Sequence, residues 1–113
     1  MNEAAEIIIV FITTGSGEEA DKIARILVGQ RKAACVNIVS GIESLYWWKS
    51  KIESAKESML IVKTLSSELP ELIKIVKLNH SYQLPEIIAI PVVGGSDNYL
   101  KWLRGEIKTQ PSL

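Results

Sequence analysis

The chain has 113 residues, 47% of them hydrophobic, and its thirteen basic residues balance thirteen acidic ones. This length predicts a single domain, residues 1–113, which can bury roughly two thirds of its unfolded surface. The zero net charge disfavours nucleic-acid partners, which need a basic face, and it removes the self-repulsion that opposes association of subunits. A neutral chain this rich in apolar residues is typical of an oligomer.

The lone cysteine and the N-terminal apolar run bear on cellular location. A single cysteine, Cys35, cannot form an internal disulfide, which favours a cytoplasmic protein. The apolar run of residues 7–12 follows an acidic start and is too short to be a signal peptide or to cross a membrane. We therefore expect no membrane partner.

The chain begins with the pattern of a strand followed by a helix. Residues 7–12 are rich in β-branched side chains, which is typical of a buried central strand. The glycines of residues 15–17 predict a plain turn. From Glu18 to residues 29–30 the apolar side chains recur three and four positions apart, which predicts an amphipathic helix. The apolar stripe of this helix comprises Ala20, Ile23, Ala24 and Leu27.

The middle of the chain predicts one long hairpin. Residues 35–46 have strand character, with a β-bulge expected at Gly41. The charged break at residues 49–51 reverses the chain. Residues 59–64 then form the returning strand.

The second half predicts a helix, a strand and a short final helix. The serines of residues 66–67 and Pro70 mark a helix start. Residues 86–93 predict a fourth strand, and residues 94–97 turn the chain into the last helix. The resulting β-α-β-β-α-β order plus a C-terminal helix predicts an α+β, ferredoxin-like fold, in which two helices cover one face of an antiparallel sheet.

Three adjacent aromatic residues stand near the hairpin end. Successive strand side chains point to opposite faces, so Tyr46 and Trp48 should share one face while Trp47 lies on the other. Large aromatics on both faces of a small domain favour an interface between subunits. The alternative is that the hairpin end folds back on its own core.

The connection before the fourth strand gathers polar groups, among them His80, Tyr82 and Glu86. Such clustering on a stiff loop suits ligand capture. His80 is a candidate metal ligand, and the alternative is that it caps the preceding helix. We expect Cys35 to be an inert packed residue. No nucleophile–base pair is evident, so we do not expect an enzyme.

Lys63 is the one cation in an otherwise apolar strand. Because lysines are rarely buried unpaired, we expect a carboxylate nearby, from Glu53, Glu57 or Glu86. The alternative is that its side chain extends along the open face of the sheet to solvent. If paired in a cleft, Lys63 would bind a small anionic ligand, with Tyr82 and Glu86 shaping the site.

Several motifs, in matching order and spacing, resemble the divalent-cation tolerance (CutA) family: residues 32–38, 44–49, 51–53, 61–64, 80–89 and 99–102. The resemblance implies a ferredoxin-like subunit in a tight homotrimer, with hairpins pairing between subunits. It also implies a link to tolerance of copper and other divalent metal ions, and no catalysis. The alternative function for this chain is that of a signalling trimer, similar to the nitrogen-regulatory proteins, which binds a small ligand in clefts between subunits.

Two departures from the family pattern concern metal binding. Some members carry a cysteine and a second histidine where this chain has Ile12 and Asn79. Copper favours imidazole and thiolate donors, so His80 alone predicts weak Cu(II) or other divalent-cation binding and no tightly bound cofactor.

Overall fold

The computed structural model describes residues 6–107. Its elements follow in the order β1 (Ile7–Thr14), α1 (Gly17–Gly29), β2 (Cys35–Trp48), β3 (Lys51–Leu65), a 3₁₀ turn (Ser66–Glu68), α2 (Leu69–Asn79), β4 (Ile87–Pro91) and α3 (Asp97–Glu106). The strands form one sheet in the order β2-β3-β1-β4, and every neighbouring pair is antiparallel. The predicted ferredoxin-like order is confirmed.

The main core lies between the sheet and the first two helices. Alternate side chains of β1 and β3 point toward α1 and α2, and the predicted stripe of α1 is buried against them. The fully covered residues include Val10, Ile12, Ile23, Leu27, Leu60, Val62, Leu72 and Val76. Burying each such side chain contributes about 1.5–3 kcal/mol, so this layer supplies most of the apolar stabilisation.

The third helix packs on the opposite face of the sheet. Its Leu103, together with Ile107, contacts Ile7, and Leu65 lies beside them. Ile7 pairs in register with Leu65. Because Ile7 is adjacent to the core-facing Ile8, its side chain points to the opposite face of the sheet. Helix α3 therefore covers only one end of the second sheet face.

The hairpin is longer than predicted, because β3 begins at Lys51 rather than at residue 59. Its first residues are mostly polar and exposed, so no apolar pattern marks them. They are strand because β2 pairs with them up to Trp48, which faces Lys51. The expected bulge is confirmed: the register shifts between Val39 and Ile42, and Gly41 has φ +74°.

The fourth strand is shorter than predicted and ends at Pro91 rather than at residue 93. Proline has no N–H for a sheet ladder, which explains the stop. The chain measures 49 × 33 × 25 Å, with a radius of gyration of 15.1 Å. A compact chain of this length would have about 13 Å, so the long hairpin gives the subunit an elongated shape.

Candidate functional site

A groove lies where the hairpin extends past the central strand. Strand β1 ends at Thr14, which pairs with Ser58, so the earlier residues of β3 pair with β2 alone. The loop of residues 81–86 runs beside this unpaired stretch. The groove has a volume of about 860 Å³ and is lined by residues 43–48, Glu57, Thr13 and that loop.

The centre of the groove is a buried carboxylate. Glu57 is only 7% exposed. Ser44 Oγ donates a hydrogen bond to its Oε1 at 2.7 Å, and the Tyr82 hydroxyl donates to its Oε2 at 2.7 Å. Each carboxylate oxygen of Glu57 therefore accepts a hydrogen bond from a hydroxyl group.

Tyr82 is held as a neutral donor. Burial, followed by the hydrogen bond to Glu57, raises the pKa of Tyr82 from 10.0 to about 12. A Cβ atom at Gly15 would lie 3.1 Å from the Tyr82 hydroxyl oxygen, so the phenol sits tightly against the turn after β1. The predicted plain turn is confirmed, and its Ser16 caps α1 by accepting the Glu19 N–H.

His80 has both ring nitrogens engaged, and its side chain is fully covered. Its Nε2 lies 2.7 Å from the Thr13 carbonyl oxygen, which can only accept, so Nε2 carries the proton. Its Nδ1 accepts the Tyr82 N–H at 3.1 Å. Both ring nitrogens are thus occupied by backbone partners, so neither is free to bind a metal in this arrangement. His80 stands at the C-cap position of α2, but its ring bonds to neighbouring segments rather than to helix carbonyls.

The loop after α2 is also tied to the first helix. The Glu19 carboxylate accepts hydrogen bonds from the Ser81 N–H and hydroxyl. It also lies 3.9 Å from His80 Nδ1. These contacts and the His80 bonds place Tyr82 at the groove.

Lys63 lies outside this site. Its Nζ donates to Asn37 Oδ1 at 2.7 Å, so the predicted carboxylate partner is wrong for the residues that the structure describes. Lys63 pairs in register with Ile9 and Cys35, six positions from Glu57 along β3, which corresponds to roughly 20 Å. Within one subunit the structure does not bring it together with Tyr82, and its role in a cleft between subunits stays a prediction.

Tyr82 and Glu86 both line the groove, as expected, while Glu86 is exposed at its rim. The sequence did not indicate Ser44 or Thr13 as groove residues. It offered Glu57 only as one of three possible carboxylate partners of Lys63. The sequence signal for the groove was Glu57, a carboxylate within a strand. Its hydrogen-bond partners could not be recognised because they come from segments distant in the chain.

The hairpin aromatics occupy two faces, as the alternation predicts. Tyr46 and Trp48, 41% and 38% exposed, share the parity of Ser44. Trp47 lies on the other face with Leu45 and its register partner Ile52, and these three side chains are 63–75% exposed. Neither face is folded back into the core of this subunit. The role of the aromatics as a subunit interface stays a prediction.

Comparison with known proteins decides the family. The CutA1 divalent ion tolerance protein family matches residues 8–106. The chain belongs to this family.

Among its relatives, a chloroplastic CutA protein of Arabidopsis thaliana is 46% identical over 101 residues, 89% of this chain and 56% of that protein. The divalent-cation tolerance protein CutA of Thermus thermophilus is 46% identical over 85% of this chain and 93% of its own length. The crystal structure of CutA1 from Oryza sativa superposes with a TM-score of 0.90 at 42% identity, covering 94% of this chain and 97% of that one. The chain thus spans little more than half of the plant relative.

These family names describe tolerance of divalent cations and name no catalysed reaction. Within residues 6–107, no group of three or more His, Cys, Asp or Glu side chains is arranged to hold a metal ion. No helix in that range is long and apolar enough to span a membrane. The cytoplasmic location stays a prediction, and the Arabidopsis relative carries a chloroplastic name.

Proposed function

We propose that this CutA protein acts in divalent-cation tolerance as a non-catalytic homotrimer that binds a small ligand in the groove beside Glu57. The main support for the proposal is that one subunit leaves a large apolar surface uncovered. This surface lies next to a groove that contains the hydrogen-bonded carboxylate of Glu57. Uncovered apolar surface of this extent on a small soluble domain typically marks an interface.

The second sheet face is the larger of the two uncovered surfaces. Beyond the end covered by α3, its apolar residues are Ile9, Phe11, Met59, Ile61, Ile88 and Ile90. Ile88 and Ile90 are 56% and 46% exposed. They belong to β4, an edge strand in this subunit, whose free edge can also pair with another strand. The proposed number of subunits, three, comes from the family resemblance.

The expected assembly can be tested by its mass. Light scattering of the purified protein at micromolar concentration should give about three times the 12.5 kDa chain mass. Ile88→Glu with Ile90→Glu should dissociate the assembly, because charges would be buried unpaired in the interface. Leu78→Glu is the matched control, since Leu78 is an exposed apolar residue on α2 outside this face. A wild-type mass of one chain would refute the trimer.

The groove favours small-ligand binding over tight metal binding. Both ring nitrogens of His80 already have a backbone hydrogen-bond partner, so the ring supplies no metal ligand unless the loop rearranges. The second candidate is weak binding of Cu(II) or another divalent cation through His80, favoured by the divalent-cation tolerance named for the family.

Calorimetry with copper, zinc and a panel of small ligands including nucleotides separates these candidates. Small-ligand binding that Tyr82→Ala weakens would support the groove. Copper binding that is lost in His80→Ala would favour the second candidate, and it should fall as pH drops below about 6.5, because imidazole must be neutral to bind a metal.

A further inference from the structure

The groove has an uneven charge. Its lining contains three glutamates, Glu43, Glu57 and Glu86, and no lysine, arginine or histidine. Two lysines stand nearby in the hairpin ladder: Lys56 is the register partner of Glu43, and Lys51 is that of Trp48. Neither lysine lines the groove. Glu57 and Glu86 therefore set the sign of the potential that a ligand meets there.

The walls beside these carboxylates are aromatic and apolar. Tyr46 and Trp48 come from the hairpin, and Leu84 and Pro85 come from the opposite loop. Aromatic faces attract cations through the ring quadrupole, most strongly where water is excluded. Apolar loop residues add favourable contact with a carbon skeleton.

We propose that the groove binds an organic cation, an ammonium group carried on an apolar or aromatic body. This inference rests on the proposed function, in which the groove is the ligand site, and it names the chemical class of the ligand. The ammonium lies against the aromatic faces and is drawn by Glu57 and Glu86, while the apolar body contacts Leu84 and Pro85.

Other ligand classes fit this groove less well. An anion would meet three carboxylates and no cationic side chain of the lining, so like-charge repulsion opposes it. Ca²⁺ and Mg²⁺ prefer six or more oxygen ligands, and Zn²⁺ usually takes at least three protein ligands, whereas residues 6–107 provide no metal-holding group of three. Each Glu57 oxygen already accepts one hydrogen bond, which leaves it suited to a single further donor or to electrostatic attraction.

A matched pair of probes tests the charge preference. Phenethylammonium and phenylacetate have similar aromatic bodies and opposite charges. Each is titrated at low ionic strength into the full-length protein in its native assembly, with heat and Trp fluorescence as readouts, because Trp47 and Trp48 line the groove. We expect saturable binding of phenethylammonium, at least tenfold tighter than that of phenylacetate, and a loss of the difference at high salt.

The variants place the binding in the groove. Glu86→Gln removes an exposed charge without disturbing the fold and should weaken phenethylammonium binding about threefold or more. Glu71→Gln, an exposed glutamate on α2 away from the groove, should leave it unchanged. Equal effects of these two variants would overturn the assignment.

Two outcomes separate the ligand class from the proposed function. Tighter binding of phenylacetate, or saturable Cu(II) or Mg²⁺ binding in the groove without ammonium binding, overturns the organic cation but keeps the groove as a ligand site. No binding of any probe, nucleotide or metal overturns both.

Discussion

At the residue scale, Glu57 organises the site. It joins β2 to the loop after α2, since Ser44 and Tyr82 both donate to it. Hydrogen bonds to charged groups contribute about 1.5–3 kcal/mol, and leaving a buried charge with an unpaired oxygen costs a similar amount. Tyr82 is in turn oriented by its own N–H bond to His80. The position of the Tyr82 phenol thus depends on β2, on β3 and on the loop after α2.

Tyr82 should titrate later than the other tyrosines. Its pKa is raised from 10.0 to about 12, so the fold favours the neutral phenol. That contribution to stability is complete below about pH 10 and is lost as pH rises through about 12. When phenolate absorbance of the folded protein is followed as pH is raised, it should show a late phase, at high pH, that Tyr82→Phe abolishes.

The control for this titration is Tyr99→Phe, which removes an exposed tyrosine of α3 and should leave the late phase intact. Tyr82→Phe should also lower the free energy of unfolding at neutral pH by about 1–3 kcal/mol, because Glu57 Oε2 loses its donor. An unchanged late phase in Tyr82→Phe would contradict the assignment.

At the element scale, the hairpin turn carries local strain. Lys49 and Ser50 have φ angles of 50° and 65°, so both residues of this two-residue turn are left-handed. Turns of this kind favour Asn-Gly, because left-handed backbone is unfavourable for residues with side chains. The strand pairing on both sides of the turn overrides that preference.

Relieving this strain should stabilise the protein. Lys49→Asn with Ser50→Gly should raise the free energy of unfolding by about 1 kcal/mol, measured by denaturant titration at fixed protein concentration. Ser54→Gly, in β3 beyond the turn, is the control and should lower it by about 0.5–1 kcal/mol. A decrease in the double variant would show that the lysine and serine side chains stabilise the turn themselves.

A buried ion pair connects the loop before β2 to the 3₁₀ turn before α2. Lys32 Nζ lies 3.3 Å from Glu68 Oε1, and both side chains are almost fully covered. The Lys32 carbonyl also accepts the Thr64 hydroxyl. The pair thus connects two loops on the helical side of the sheet.

Removing one partner of this ion pair should lower the free energy of unfolding more than replacing both partners with apolar residues. Lys32→Met should lower the free energy of unfolding by about 3–5 kcal/mol, since Glu68 would be left buried and unpaired. Lys32→Met with Glu68→Leu should recover most of that loss, because no buried charge remains. A double variant as unstable as the single one would point to packing rather than charge. Chemical denaturation of the three proteins decides between them.

At the scale of the whole molecule, the subunit has more apolar surface than its own elements cover. Helices α1 and α2 cover one sheet face where β1 and β3 pair, while α3 covers only the end of the other face near Ile7. The hairpin adds Trp47 and Ile52 on a face that no element of the described chain covers. The proposed assembly of subunits would remove this surface from water.

The proposed assembly would make Trp47 a position at which substitution changes stability strongly. If subunits bury it, Trp47→Ala should lower the free energy of unfolding by about 3–5 kcal/mol, although the side chain is 71% exposed in one subunit. Lys49→Ala, two residues away, should change it by less than about 0.5 kcal/mol. The melting temperature should also rise with protein concentration, as subunit association requires. Equal melting temperatures of the two variants would contradict burial of Trp47.

The sequence alone determined the order of the elements, because that order depends on local patterns. The period of Ala20, Ile23 and Leu27 defines a helix, and the continuous apolar run of β1 defines a central strand. The same local rules placed the bulge at Gly41 and the opposite faces of Trp47 and Trp48. The family motifs, which are also local, indicate the CutA family.

Only the tertiary structure decided the groove. Tyr82 and Glu57 are 25 positions apart, and His80 and Thr13 are 67 apart. Their contacts exist because α2 packs on the sheet and delivers its C-terminal loop to the point where β1 stops and β3 continues. No local pattern encodes that meeting. The sequence therefore offered Glu57 only as one of three possible partners of Lys63, whereas in the structure it accepts hydrogen bonds from Ser44 and Tyr82.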